Sequence, residues 1–326
     1  MRPAFSVLLL TTLIGAGQGL FLALFTVEVY ALAGLLPQDD HRAFYAVGSA
    51  IVLALLGAGL LASFFHLGRP ERAWRSAAQW RTSWLSREVI ALPAFMGVVA
   101  LYGLINAVGW APQIARAPGG AALGASVVVG VMGTVLAFAL FICTAMIYAC
   151  LRFLAEWHTP LTLVNYVLLG GASGFTLAAA LASWMEPPLL AFLSAWALIL
   201  TVLAAIGRVA SLVRNARLKP KSTLQTAIGI KHPRIQQKAQ GFMGSSFNTR
   251  EFFHGAGAGR LRLVKHAFLW LAFVLPAALL LAGREAAPAL WLPVAFLTQY
   301  VGLLAERWFF FAQANHPQNL YYQAVS

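Results

Sequence analysis

His66 and Glu88 are the two side chains best placed for chemistry in this sequence. They bound one polar stretch, HLGRPERAWRSAAQWRTSWLSRE, between two long apolar runs. Arg69, Arg72, Arg75, Arg81 and Arg87 alternate there with Trp74, Trp80 and Trp84. A simple turn between helices needs no such density of arginine and tryptophan. A histidine titrates near 6.5, so it can donate a hydrogen bond and relay a proton at neutral pH. A carboxylate withdrawn from water holds its proton more tightly and can serve as a second relay. Such a pair suits a carrier that takes up two electrons with two protons, as a quinone does. The quinone carbonyls need hydrogen-bond donors, and the ring and tail need aromatic and apolar walls. On this reading His66 and Glu88 exchange the protons. Arg69, Arg72, Trp74 and Arg81 form a headgroup-level wall, and the same face meets a soluble redox partner.

The elements that must position these groups are membrane helices. The chain has 326 residues, 60% of them hydrophobic and 10% charged, against roughly 25% charged in an ordinary soluble domain. Its mean hydropathy is +0.75. Apolar runs of about 20 residues, the length that crosses a bilayer, recur along it. The expected fold is all-α and polytopic, with eight spans near residues 5–35, 43–66, 87–109, 122–150, 161–184, 189–213, 263–283 and 290–313. The first run is far longer than the roughly 7–15 residues of a signal-peptide core, so it is kept as a span. Pro37 with Asp39 and Asp40, Pro112, Pro118 with Gly119 and Gly120, Pro160, the Pro187–Pro188 pair and the 283–288 turn supply the breaks. A four-plus-four arrangement of weak symmetry is compatible with the pattern.

Eight spans bring both termini to one side. That side collects 20 of the 23 lysines and arginines; Arg42, Arg116 and Arg284 fall on the other. The excess of positive charge predicts cytoplasmic termini and a cytoplasmic His66–Glu88 loop. The net charge of +13 lies next to the spans, where it sets topology and attracts lipid headgroups or an acidic partner, so it does not point to nucleic acid. Residues 214–262 are the sizeable polar segment. They mix Ile228, Ile230, Ile235, Phe242, Met243, Phe247, Phe252 and Phe253 with basic and amide groups. A plain linker would carry fewer large apolar side chains, so this loop is expected to dock a partner.

Ionisable groups within the spans are few, and such groups usually mark sites or pathways. Glu306 with Arg307 lies toward the cytoplasmic end of the last span and joins His66 and Glu88 as a candidate quinone-site residue. Glu28 lies near the far end of the first span and reads as structural or as a proton exit. The histidines fall at 41, 66, 158, 232, 254, 266 and 316, none deep in an apolar run. A membrane b-haem needs two axial ligands inside the spans, so no haem is expected. Cys143 and Cys150 lie seven apart and no CxxC occurs, so neither a disulfide nor an iron–sulfur cluster is expected, and no metal. Electrons must then come from a cluster in another protein.

At HLGRPERAW and WLSREV, joining the second and third spans, the sequence resembles the membrane-anchor subunits of the dimethyl sulfoxide reductase family of molybdoenzymes. The spaced match HLG-x-P-x-RA, then LS-x-E, carries the resemblance and brings Gly68 and Ser86 into the candidate site. LLAERWFFF in the last span resembles the final helix of that family. The resemblance implies that His66 and Glu88 belong to a quinol site. It implies a place in a bacterial cytoplasmic membrane and two partners docked on it: a four-cluster iron–sulfur subunit, and a catalytic subunit that carries molybdenum bis-guanine-dinucleotide. The long basic loop, LQTAIGIKHPRIQQKAQGFMGSSFNTREFFHG, resembles that of anchors accompanying cytoplasmic sulfite dehydrogenases. Three other readings stand beside this one. The protein could oxidise quinol for a dimethyl sulfoxide reductase-type complex, act as a transporter, or tether its partners passively. Few charged groups fall in the middle of the expected spans, which weighs against a transport path across both leaflets.

Overall fold

The computed structural model describes residues 1–37, 40–110, 112–116, 122–219, 222–236, 254–317 and 319. Among them, eight helices are long and apolar enough to cross a membrane. They are α1 (Phe5–Leu32), α2 (Arg42–Phe64), α3 (Trp84–Val108), α4 (Ala125–Ala149), α5 (Pro160–Met185), α6 (Leu190–Ala216), α8 (Ala258–Ala286) and α9 (Pro288–Ala312). A short α7, Leu224–Ile228, stands in the long connection. Lipid offers a backbone amide no partner, so each apolar run closes its own hydrogen bonds.

Polar residues set the ends of the spans. The Ser83 hydroxyl accepts from the Ser86 N–H at 3.4 Å and starts α3. Gly109, at φ +71°, ends that helix in the left-handed conformation that glycine adopts without strain. Thr159 caps α5, with Pro160 at its first position. Of the boundaries that depart from expectation, three fall at polar groups. α2 stops at Phe64, so His66 follows the helix instead of closing it. α3 starts at Trp84, so Glu88 lies in its second turn. α8 starts at Ala258, because Arg260, Arg262 and Lys265 can reach headgroups from its first turns. Strands β1 (Gln113–Arg116) and β2 (Ala122–Gly124) pair antiparallel, a local departure from the all-α expectation. Pro112 immediately before β1 disfavours helix in that link. Asp39, Pro118, Gly119, Gly120 and the apolar middle of the docking loop (Phe242, Met243, Phe247, Phe252 and Phe253) lie outside the described residues.

The spans form two four-helix halves. α1, α2, α3 and α4 pack in order and α4 returns to α1; α5, α6, α8 and α9 repeat the pattern, and α9 returns to α5. The halves join mainly through α1 and α5. Apolar side chains gain little from leaving lipid for another helix, so close backbone packing must hold such a seam. Gly15 and Gly19 on α1 face Gly170 and Gly174 on α5. A Cβ at Gly19 would overlap the Gly170 carbonyl oxygen, and one at Gly174 would overlap the Gly19 backbone.

α8 is irregular. A π-helical turn spans Trp270–Val274, and Pro276 follows. Proline has no N–H to return to the Ala272 carbonyl, four residues earlier. Gln299 of α9 meets that need: its Nε2 donates to Ala272 O at 3.3 Å and to Thr201 Oγ1 of α6 at 3.1 Å. We therefore expect Gln299→Leu to lower stability by about 1–3 kcal/mol, read as a lower unfolding temperature in detergent.

The two ends of the bundle differ. α1 begins and α9 ends at the same end, where Leu8, Leu154, Trp157, Tyr166, Phe310 and Phe311 cluster. Trp157 Nε1 donates to Phe310 O there at 3.0 Å. The His66–Glu88 stretch lies at this end. At the opposite end His41 Nδ1 pairs with Glu186 Oε2 at 3.0 Å, and Tyr102 OH donates to Glu28 Oε2 at 2.7 Å.

Candidate functional site

Two kinds of space open at the loop end. The larger is a cleft of about 740 Å³ between the start of α1, the end of α4 and the link to α5. Val7, Ile147, Tyr148, Leu151, Trp157 and Phe311 give it apolar and aromatic walls, and Arg2 and His66 give it polar groups. Tyr148 is the centre of the aromatic wall: Trp157, Phe310 and Phe311 meet it edge-on at 5.3, 5.7 and 5.4 Å between ring centres. His66 sits on the turn after α2, its N–H donating to Ser63 O at 3.3 Å. His66 is exposed on the rim of the cleft, and the partial desolvation its neighbours impose disfavours the charged form and lowers its pKa from 6.5. It is therefore neutral at pH 7, one nitrogen donating and the other accepting.

The smaller space lies inside the bundle, at the seam of the two halves. It measures about 30 Å³, enough for two or so water molecules at roughly 10–15 Å³ each and too small for a ring. Glu88 of α3, Thr144 of α4, Gln18 of α1, Tyr166 of α5 and Arg307 of α9 line it. Glu88 is buried at 7% exposure. Thr144 Oγ1 donates to its Oε1 at 2.5 Å.

Behind this cavity is a buried ion cluster. Glu306 Oε1 is ion-paired with Arg208 Nε of α6 at 2.5 Å, and its Oε2 accepts from Nε of its neighbour Arg307 at 2.8 Å. All three side chains are at most 5% exposed. The Arg307 guanidinium lies over the Tyr166 ring, 4.1 Å from its centre. The cluster holds one more cation than anion, and its Arg307 and the Glu88 carboxyl both line the water-sized cavity.

Residues 1–312 match the family described as DMSO reductase anchor subunit (DmsC). The chain belongs to that family. It is similar over its whole length to the C subunit of the sulfite dehydrogenase of Allochromatium vinosum, 54% identical over 330 positions that cover 100% of both proteins. A segment resembles the C component of the anaerobic dimethyl sulfoxide reductase of Haemophilus influenzae, 40% identical over 62 residues, 19% of this protein and 22% of that one. Another resembles the anaerobic dimethyl sulfoxide reductase component YnfH of Escherichia coli, 36% identical over 76 residues, 23% of this protein and 27% of that one. This DmsC-family anchor is thus a multi-pass protein of the bacterial inner membrane and a subunit of an oxidoreductase complex.

The anchor brings the residues singled out by sequence together only in part. His66 lines the cleft and Glu88 the internal cavity, with Tyr148 and Tyr166 between them. Glu306 sits behind that cavity, held by two arginines. Ser86 is buried in the first turn of α3. Gly68, Arg69, Arg72, Trp74 and Arg81 are exposed, and none lines either space. Pro70–Gln79 form a 3₁₀ helix with no buried residue, so the stretch presents its side chains outward. Its arginines instead stack on its tryptophans: Arg75 on Trp74, Arg81 on Trp80 and Arg87 on Trp84, at 5.4, 5.4 and 4.3 Å. Arg208, Tyr148, Tyr166 and Thr144 are the residues that sequence reasoning missed. For Arg208 a signal exists, since it falls inside the expected sixth span. For the tyrosines there is none, since an aromatic in an apolar run reads as packing.

Proposed function

We propose that this protein is the quinone-reactive anchor of a cytoplasmic molybdenum and iron–sulfur dehydrogenase that oxidises sulfite. The observation that carries this reading is the cleft: about 740 Å³, walled by Tyr148, Trp157 and Phe311, with a neutral imidazole on its rim. A quinone ring and the start of an isoprenoid tail fit that volume. The aromatic walls suit its faces, and His66 suits a carbonyl oxygen. When bound, the quinone accepts two electrons and two protons, or returns them as quinol. The anchor's own part is to hold the ring, donate to its oxygens and exchange protons through His66 and Glu88.

Electrons arrive from a four-cluster iron–sulfur subunit, itself fed by a molybdopterin catalytic subunit. The exposed face with Trp74 at 71% and Trp80 at 53% exposure offers the docking surface, and the 214–262 loop is assigned to the same partner. The charge bias favours a cytoplasmic position for this face and both termini. The full-length similarity to a sulfite dehydrogenase subunit favours sulfite over dimethyl sulfoxide, since the similarity to the reductase components is partial.

His66→Asn and Glu88→Gln test the reading in the purified complex. With sulfite as donor and decylubiquinone as acceptor, each should lower turnover by roughly 10²-fold or more. Ferricyanide, which takes electrons directly from the metal subunits, should still be reduced at the parental rate. The parental quinone-linked rate should fall as pH drops below 6.5 and His66 gains its proton, and the His66→Asn variant should lack that limb. Parental quinone-linked rates in both variants would refute the assignment.

A further inference from the structure

The two groups assigned to proton exchange do not share a space. His66 lines the cleft, and Glu88 lies in a cavity too small for a ring. What stands between them is a stacked pair. Tyr148 forms the wall of the cleft, and Tyr166 forms the wall of the cavity. Their rings are 6.0 Å apart and nearly parallel, at 16°. The stacking sets the two hydroxyl-bearing rings side by side. The Tyr166 hydroxyl is buried without a fully formed hydrogen bond, as is Nη1 of Arg307 beside it. A buried hydroxyl of that kind, on a polar cavity roomy enough for water, takes a water as its partner. Thr144, Gln18 and Glu88 are further polar groups of that lining.

We propose that Tyr148 and Tyr166 form a proton relay between the quinone cleft and the Glu88 cavity, so that Glu88 serves the quinone without touching it. This rests on the quinone reading above. In the reducing direction, two electrons come from reduced iron–sulfur clusters of the partner and two protons complete the quinol. One proton passes at the His66 side. For the other, the Tyr148 O–H breaks as its proton forms the new O–H on the quinone oxygen. Tyr148 regains a proton from Tyr166, and Tyr166 from cavity water. That water is resupplied by the Glu88 carboxyl, which is left as carboxylate and reprotonates from the loop side. Each tyrosine ends neutral, and oxidation of quinol runs the same path backward. Arg307, stacked on Tyr166 and lining the same cavity as Glu88, is the positioning residue: it fixes the ring and places a positive charge on the cavity wall.

The test uses Tyr148→Phe and Tyr166→Phe in the intact complex, since each keeps its ring and loses only the hydroxyl. Sulfite-to-decylubiquinone turnover is compared in H₂O and D₂O, with ferricyanide as the second acceptor. Each variant should lower kcat for the quinone at least tenfold, leave its KM within twofold, and change the solvent isotope effect. Tyr166→Phe should add nothing further in a Glu88→Gln background, because both groups lie on one path. A rise in KM with kcat unchanged would mean the hydroxyls only pack the cleft, and would overturn the relay. Parental rates in both Phe variants, with His66→Asn and Glu88→Gln still slow, would overturn the relay and leave the quinone reading standing. Parental rates in all four would overturn both. If Tyr166→Phe failed to assemble, Tyr148→Phe alone would decide between these outcomes.

Discussion

Gly174→Val should leave almost no folded anchor to purify. The Cβ of any residue at this position falls inside the backbone of α1 at Gly19 and Leu20. Neither backbone can yield as a flexible side chain would, so α1 and α5 must separate along their whole contact. Overpacking a tight interior typically costs about 1–3 kcal/mol, and separating the two most buried spans should cost more. Total stability is only about 5–15 kcal/mol, and the seam is what joins the halves. Even Gly174→Ala and Gly19→Ala should lower the unfolding temperature in detergent. Gly57→Ala on α2 and Gly97→Ala on α3 are the controls, since a Cβ at either meets nothing within 4 Å. Equal yields and unfolding temperatures for the seam variants and the controls would contradict the described seam.

Glu306→Gln should have an effect of similar size for an electrostatic reason. Glu306 is 0% exposed and holds both Arg208 and Arg307. The substitution keeps the shape and removes the anion, leaving two guanidinium groups buried with no counter-charge in contact. Breaking a buried ion pair by removing one partner costs about 3–5 kcal/mol. α6 and α9 lose the bridge that ties them near the loop end, so Glu306→Gln should unfold well below the parental temperature. Glu71→Gln gives the contrast. Glu71 lies 3.9 Å from Arg72 with 66% of its side chain exposed, and exposed pairs contribute little. A Glu306→Gln protein as stable as the Glu71→Gln protein would mean that the cluster is hydrated and open.

The eight spans are legible in the sequence because lipid imposes one rule on the backbone everywhere. Long apolar runs, and prolines such as Pro160 and Pro288 at helix starts, mark them directly. The pairing of helices is less legible, since it depends on which faces meet. The Gly15–Gly19 and Gly170–Gly174 spacings are visible in the sequence, but nothing in it says that they face each other. The same holds for the site. His66 and Glu88 stand out because ionisable groups at the edge of a span are costly. Their separation into two spaces depends on Tyr148 and Tyr166, which read as ordinary apolar packing. Arg208 lies within the expected sixth span, but the run of basic residues that follows hides it among loop charges; in α6 it is sealed by Glu306. The reverse holds for Arg69, Arg72, Trp74 and Arg81. Their density suggests a lining, whereas the 3₁₀ helix turns them outward to the surface proposed for the partner.

The central claim is that a quinone ring occupies the cleft at the loop end of the bundle. Photolabelling the intact complex with an azidoquinone, followed by peptide mapping, tests it most directly. The account predicts label on the peptides that contain His66 and Tyr148, displaced by excess unlabelled quinone. Displaceable label confined to the opposite end, near His41 and Glu186, would contradict it.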